Sequence, residues 1–217
     1  MSVKTKSEAI FEHFLSDNNV RFEKIEEGAT ARPDYLAHLD NVDLIFELKE
    51  LEEDEKFGVV GDLSHPNIKT HSRTIGDHVR KRIDSARKQI QYGTTLGLPS
   101  ILLIYNNIDP VFQAFGTEDM DFVAAMYGEM TILINPRTDE NSELFNGRNQ
   151  LLQERKNTSF SAVGHLSDRA GMTTVTLFEN IFAKITVPYE QLPNCFGVRR
   201  AEVSTEPLVL RSRSSLT

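Results

Sequence analysis

Apolar positions recur along the first hundred residues in two different periods, and the changes of period mark out the elements. Ile10, Phe11, Phe14 and Leu15 form a stripe at helical spacing, which predicts a helix over Lys6–Asn18 with Ser7 as N-cap and Asn18-Asn19 at its exit. Val20, Phe22 and Ile25 are the apolar positions of a predicted strand, Val20–Ile25. Two further strands are expected at Ala31–Leu39 and Val42–Lys49, joined by Asp40-Asn41. Both loop residues tolerate positive φ, which suits a two-residue hairpin turn. Ile75, Val79, Ile83, Ala86 and Ile90 then return to steps of three and four and predict a long helix stopping at Gly93. Ser100–Tyr105 is a near-continuous apolar run between Pro99 and Asn106-Asn107, expected as a buried central strand reached by a helical crossover.

Beyond residue 106 the pattern is weaker. It predicts a short strand at Phe112–Phe115, a helix at Asp119–Tyr127 and a buried strand at Thr131–Ile134. Glu140–Lys156 is polar and expected to be helical toward its end, and Thr174–Phe178 and Ala183–Val187 read as strands. Arg199–Thr217 is polar apart from Pro207-Leu208-Val209-Leu210 and is expected to be a terminal tail. The expected organisation is one α/β domain over 1–198, with its core in about 5–105 and strand and helix additions over 106–198.

The hairpin carries the chemistry. With Asp40-Asn41 as the loop, Leu39 opposes Val42, and counting outward brings Asp34 opposite Glu47. Directly opposed residues share a sheet face with Cβ atoms roughly 5 Å apart. Lys49 follows Glu47 by two and lies on that face too, while Leu44, Phe46 and Leu48 point to the other. Two close carboxylates raise each other's pKa unless a cation is shared. Mg²⁺ answers this, since it takes oxygen ligands and needs only one or two carboxylates. Lys49 would then face an anionic reactant, holding a nucleophilic water or stabilising phosphorane charge.

Pro33-Asp34 followed by Glu47-x-Lys49 resembles the signature of the PD-(D/E)XK nuclease superfamily, whose members include restriction endonucleases, junction resolvases and repair nucleases. The resemblance covers about residues 5–105. It implies a restriction-endonuclease-like αβββαβ core, with a mixed central sheet flanked by helices. It also implies a divalent-metal-dependent nuclease, with Mg²⁺ (or Mn²⁺ in its place) held by Asp34, Glu47 and the Leu48 carbonyl and with Lys49 positioning water. Glu8 near the start of the first helix is the implied supporting acid, although a glutamate in a first helical turn is also favoured by the helix dipole. Gln89 is the implied polar contribution of the second helix, with Arg82 two turns earlier as its alternative.

The net charge of −8 is unevenly spread. Residues 1–60 hold fifteen Asp/Glu against seven Lys/Arg, whereas 61–217 balance. The second helix carries Arg80, Lys81, Arg82, Arg87 and Lys88 against Asp77 and Asp84, a basic side that suits a phosphate backbone. Arg80, Arg82, Arg87 and Lys88 are the expected nucleic-acid contacts, with DNA favoured over RNA. The acidic run Glu50, Glu52, Glu53, Asp54 and Glu55 reads as a solvated loop at the rim of the site. His65, His71 and His78 match no zinc spacing, and neither a P-loop nor a Gly-x-Ser-x-Gly elbow is present.

No run approaches the roughly 18 apolar residues of a membrane span, and Met1-Ser2-Val3-Lys4 lacks the apolar core expected of a signal peptide. Cys195 is the one cysteine, in keeping with a cytoplasmic setting. Many nucleases of this kind dimerise to cut both strands, although no segment declares an interface. Two other readings compete with the nuclease: a catalytically silent module of the same fold that binds nucleic acid or a protein, and an unrelated α/β protein in which Asp34 and Glu47 are a structural pair.

Overall fold

A hairpin and two helical crossovers build the part of the fold that matters for the site. The computed structural model describes residues 4–26, 28, 30–52, 74–108, 117–138, 140–202 and 209–212. The first helix, α1 (Lys6–Asp17), is followed by β1 (Arg21–Lys24) and then by the hairpin β2 (Tyr35–Leu39) and β3 (Val42–Leu51). The hairpin register is the expected one, with Leu39 opposite Val42 and Tyr35 opposite Phe46. A long helix, α2 (Asp77–Thr95), returns the chain to β4 (Ser100–Asn106), which pairs parallel to β3. The third helix, α3 (Asp119–Tyr127), and a small two-stranded ribbon of β5 (Met130–Thr131) and β6 (Phe145–Asn146) precede β7 (Ala162–Arg169). β8 (Met172–Glu179), β9 (Phe196–Glu202) and β10 (Val209–Ser212) complete the chain.

The main sheet has eight strands in the order β1-β2-β3-β4-β7-β8-β9-β10 and is mixed. β3, β4 and β7 run parallel, as strands joined by helical crossovers must. The hairpin pairs and the β7–β8 and β9–β10 pairs are antiparallel. One face packs α1 through Phe11, Phe14 and Leu15 onto Tyr35, Leu44, Phe46, Ile101 and Leu103. The other packs α2 and α3 through Val79, Ile83, Ile90 and Phe122 onto Leu51, Leu102 and Ile104. Every residue of β4 is buried, because it is covered on both faces, which is why its sequence is apolar without alternation.

Several expectations are corrected. The N-cap of α1 is Thr5 rather than Ser7. Its side chain accepts from the Glu8 N–H, and Glu8 bonds back to the Thr5 N–H, a reciprocal pair Ser7 could not make. Thr131–Ile134 is not a buried strand: pairing with β6 ends at Thr131, and Ile132, Leu133 and Ile134 stay 45%, 61% and 62% exposed. Glu140–Lys156 contains no helix over its described residues; Asn146-Gly147 and Asn149, the latter at φ 62°, favour turns over helix.

Ala183–Val187 is not a strand, because β9 runs parallel to β8 and the chain between them must cross the α1 face, burying Val187, Tyr189 and Leu192 there. Residues 199–202 and 209–212 are strands rather than a tail. The polarity of this stretch misleads because Arg199 and Arg200 are ion-paired, to Asp119 at 2.9 Å and to Glu190 at 2.7 Å. The expected strand at Phe112–Phe115, His65, His71 and the acidic run from Glu53 onward lie outside the described residues.

Candidate active site

Asp34 stands where β2 gives out. Its N–H donates to the Phe46 carbonyl at 3.0 Å, but the residue before it is Pro33, which has no N–H and cannot extend the ladder. The Leu48 N–H lies beyond that bond and finds a side-chain acceptor instead: Asp34 Oδ2 accepts it at 2.7 Å. Within a strand the N–H and C=O of one residue face the same edge, so the Leu48 carbonyl is directed to the same side as the Asp34 carboxylate. The local sequence thus places a carboxylate and a main-chain carbonyl together at an open ladder end.

Glu47 lies on the α2 face of β3 and is 2% exposed. Its Oε1 is 2.6 Å from Lys49 Nζ, while its Oε2 is buried with no hydrogen-bond donor. Burial pushes the Glu47 carboxyl up to about 8, the Asp34 charge pushes the same way, and Lys49 only partly offsets them. Burial also raises Asp34, against the Leu48 N–H and the Lys49 charge, with Glu8 adding to the rise. Two substituents can satisfy the orphan oxygen: a proton shared with Asp34, or a cation. Among the described residues no group of three or more His, Cys, Asp or Glu side chains converges to hold a metal. A pair of carboxylates with one carbonyl is nonetheless a donor set that suits Mg²⁺ or Mn²⁺, which keep several waters.

Glu8 is close to this pair but committed elsewhere. Oε2 closes the capping box, and Oε1 is 2.6 Å from Lys24 Nζ. Burial disfavours its charge, but the Lys24 and Thr5 hydrogen bonds prevail and hold its carboxyl below the usual range. It therefore reaches Asp34 through its charge, not as a free ligand. Lys24, which the sequence pattern did not single out, links the two, for it also feels Asp34 and Glu12. Glu12 accepts from the Tyr35 hydroxyl at 2.7 Å. Glu50 accepts from the Ser7 N–H at 2.5 Å, so the start of α1 is tied to the end of β3.

The basic side of α2 divides into two edges. Arg80 is buried; its guanidinium donates to Ile75 O at 2.7 Å and Ala124 O at 3.3 Å and lies 3.3 Å from Glu129. Arg87, two turns on, pairs with Asp84, and Thr94 on the same edge donates to Ser159 O at 3.4 Å. That edge faces α3 and the segment leading into β7. Arg80 is consequently corrected from a nucleic-acid contact to an anchor of α3, because docking α3 consumes its donors. Arg80→Ala is expected to cost about 2–4 kcal/mol, since it strands buried carbonyls. Denaturant unfolding checks this, and nucleic-acid affinity of the folded fraction should not change.

The opposite edge carries Arg82, Gln89 and Tyr92. Arg32 sits over the Tyr92 ring, 5.7 Å from its centroid, so this edge turns toward the hairpin. Arg82 and Gln89 are half-buried on it, and Arg82 Nε is buried without a partner. Gln89 makes no hydrogen bond to Asp34 or Glu47 among the described residues. Lys88 is exposed.

No family model and no curated protein matches this sequence. Among the described residues no helix is long and apolar enough to cross a membrane. The chain is therefore defined by its own architecture: an α/β protein with a mixed sheet flanked by helices, carrying a buried Glu47 and a half-buried Asp34 beside a lysine.

Proposed function

We propose that the protein is a divalent-metal-dependent nuclease of the PD-(D/E)XK type, hydrolysing phosphodiester bonds at Asp34, Glu47 and Lys49. The observation that carries the reading is the buried Glu47 carboxylate, with one oxygen on Lys49 and the other without a donor, beside Asp34. A buried acid such as Glu47 beside a second carboxylate is costly, and a hydrophobic side chain would replace it at no loss of fold. Helix, three strands, helix and strand, in that order, also agree with the core that the motif implies.

Each residue then has a defined task. Asp34 is oriented by the Leu48 N–H, which occupies one oxygen and leaves the other to a cation. Glu47 supplies the second carboxylate and Leu48 its carbonyl. Once bound there, the cation would supply Lewis-acid activation of water and charge neutralisation at phosphate. Lys49 has three donors and spends one on Glu47, so two remain for a nucleophilic water and a developing phosphorane oxygen. The Mg²⁺ requirement, with Mn²⁺ as substitute, and a preference for DNA belong to this proposal.

Asp34→Ala is the experiment. It removes a cation ligand and frees the Leu48 N–H at the exposed end of a ladder, so the fold should survive. Metal-dependent cleavage of labelled DNA and RNA should disappear while circular dichroism stays unchanged. Cleavage at the wild-type rate by the folded variant would remove Asp34 from the site.

A further inference from the structure

We infer that Arg32 is a phosphate-binding residue that receives the backbone of the nucleic-acid strand at the carboxylate pair, an assignment that rests on the nuclease reading. Arg32 lies two residues before Asp34, outside β2, and its contact with Tyr92 places it on the α2 side of the sheet, the side that bears Glu47 and Lys49. It is exposed, yet it is held. Its guanidinium lies over the Tyr92 ring on the hairpin-facing edge of α2. On the other side Gly28 gives it room: a Cβ there would come within 2.9 Å of Arg32 Nε. A guanidinium stacked on an aromatic face keeps its edge N–H donors free, and those donors match two phosphate oxygens.

Charge makes the assignment specific. Around Asp34 and Glu47 the lysines are already neutralised, Lys24 by Glu8 and Lys49 by Glu47. Arg32 makes no ion pair with an acid among the described residues. The first sixty residues carry a net −8, so a polyanion approaching this face meets repulsion except at such a cation. Ordering the side chain in advance also removes most of the rotamer entropy that a long exposed arginine otherwise loses on binding. Arg82, ten residues and so about 15 Å of helix from Tyr92 on the same edge, gives the strand a second cation on its way past the pair.

The test measures binding apart from chemistry. A fluorescein-labelled DNA duplex, its single strand and the matching RNA are titrated in EDTA across a salt series, and the tightest of the three is used for comparison. Arg32→Gln should weaken binding about 10-fold at low salt and flatten the log–log salt dependence by about one phosphate contact. Arg32→Lys should keep the salt slope but lose part of the affinity, and Tyr92→Leu should weaken binding less than Arg32→Gln without altering the slope.

Thermal melting of each variant within a degree or so of wild type excludes a folding effect. Wild-type affinity and slope in Arg32→Gln, alongside metal-dependent cleavage by the parent, overturn the Arg32 assignment and leave the nuclease standing. Arg32-dependent binding without cleavage by the parent keeps the phosphate site and removes the nuclease. No binding by the parent to any of the three overturns both.

Discussion

Replacing Lys49 by alanine is expected to lower metal-dependent cleavage by about 10³-fold or more while cation binding persists. The expectation follows from where the ammonium sits. Lys49 Nζ is 2.6 Å from Glu47 Oε1 and a quarter exposed, so it is fixed by one bond and open to a reactant with the others. In the absence of a metal it competes for the same carboxylate that a cation needs. On the nuclease proposal, removing it takes away the group that would hold water and phosphorane charge, yet leaves Asp34, Glu47 and the Leu48 carbonyl as the proposed ligands. Mn²⁺ affinity, read by calorimetry, should be equal to wild type or higher, whereas Asp34→Ala should lower it. Loss of cation binding and activity together in Lys49→Ala would make the lysine a structural partner of Glu47 and not a catalytic residue.

The second large effect is the loss of most of the pH dependence of stability in Glu47→Gln. The folded Glu47 carboxyl titrates at about 8, against 4.5 for the free group, because burial and the Asp34 charge oppose its ionisation. Between those limits the folded chain holds a proton that the unfolded chain releases. Stability is therefore full below the lower limit and declines as pH rises through the window. Glutamine keeps the shape of the protonated acid and cannot ionise, so the variant should be the more stable protein at pH 8–9, by on the order of a few kcal/mol. The two should converge near pH 4.5. Asp34, also raised, adds a change of the same sign in both proteins. Mg²⁺ or Mn²⁺ should restore wild-type stability at high pH and do nothing for the variant. Chemical denaturation across pH in EDTA reads the effect, and parallel pH profiles for the two proteins would refute the account of Glu47.

The hairpin was legible because two independent signals agree there. Alternation over Val42–Lys49 sets the faces, and a two-residue loop sets the register, so the pairing of Leu39 with Val42 carried outward correctly to Tyr35 and Phe46. The helices α2 and α3 and the buried strand β4 were legible from unbroken periodicity. β7 was not, since its second half is polar and Gly164 interrupts its apolar half. The structure explains that glycine: a Cβ there would fall 2.6 Å from Leu103 Cδ2 on the neighbouring strand, a contact no local pattern contains.

Side-chain commitments were the least legible part of the site. Arg80 and Arg82 differ by two positions on one helix, and sequence gives both the same surface role. The docking of α3 buries the first, and the turn of the other edge toward Arg32 leaves the second beside the hairpin. Glu8 was expected as the supporting acid; it acts on Asp34 through its charge, and its engagement by Thr5 and Lys24 depends on β1 lying alongside α1, which spacing cannot supply. The Thr5-x-x-Glu8 spacing itself was a readable capping signature.

The most direct measurement is cleavage of labelled single- and double-stranded DNA and RNA by the parent protein and Lys49→Ala, side by side, in Mg²⁺, Mn²⁺ or EDTA. The account predicts hydrolysis of at least one substrate by the parent in either metal, none in EDTA, and none by Lys49→Ala. Cleavage that persists in EDTA or in Lys49→Ala, or a parent that leaves all four substrates intact in both metals, would contradict it.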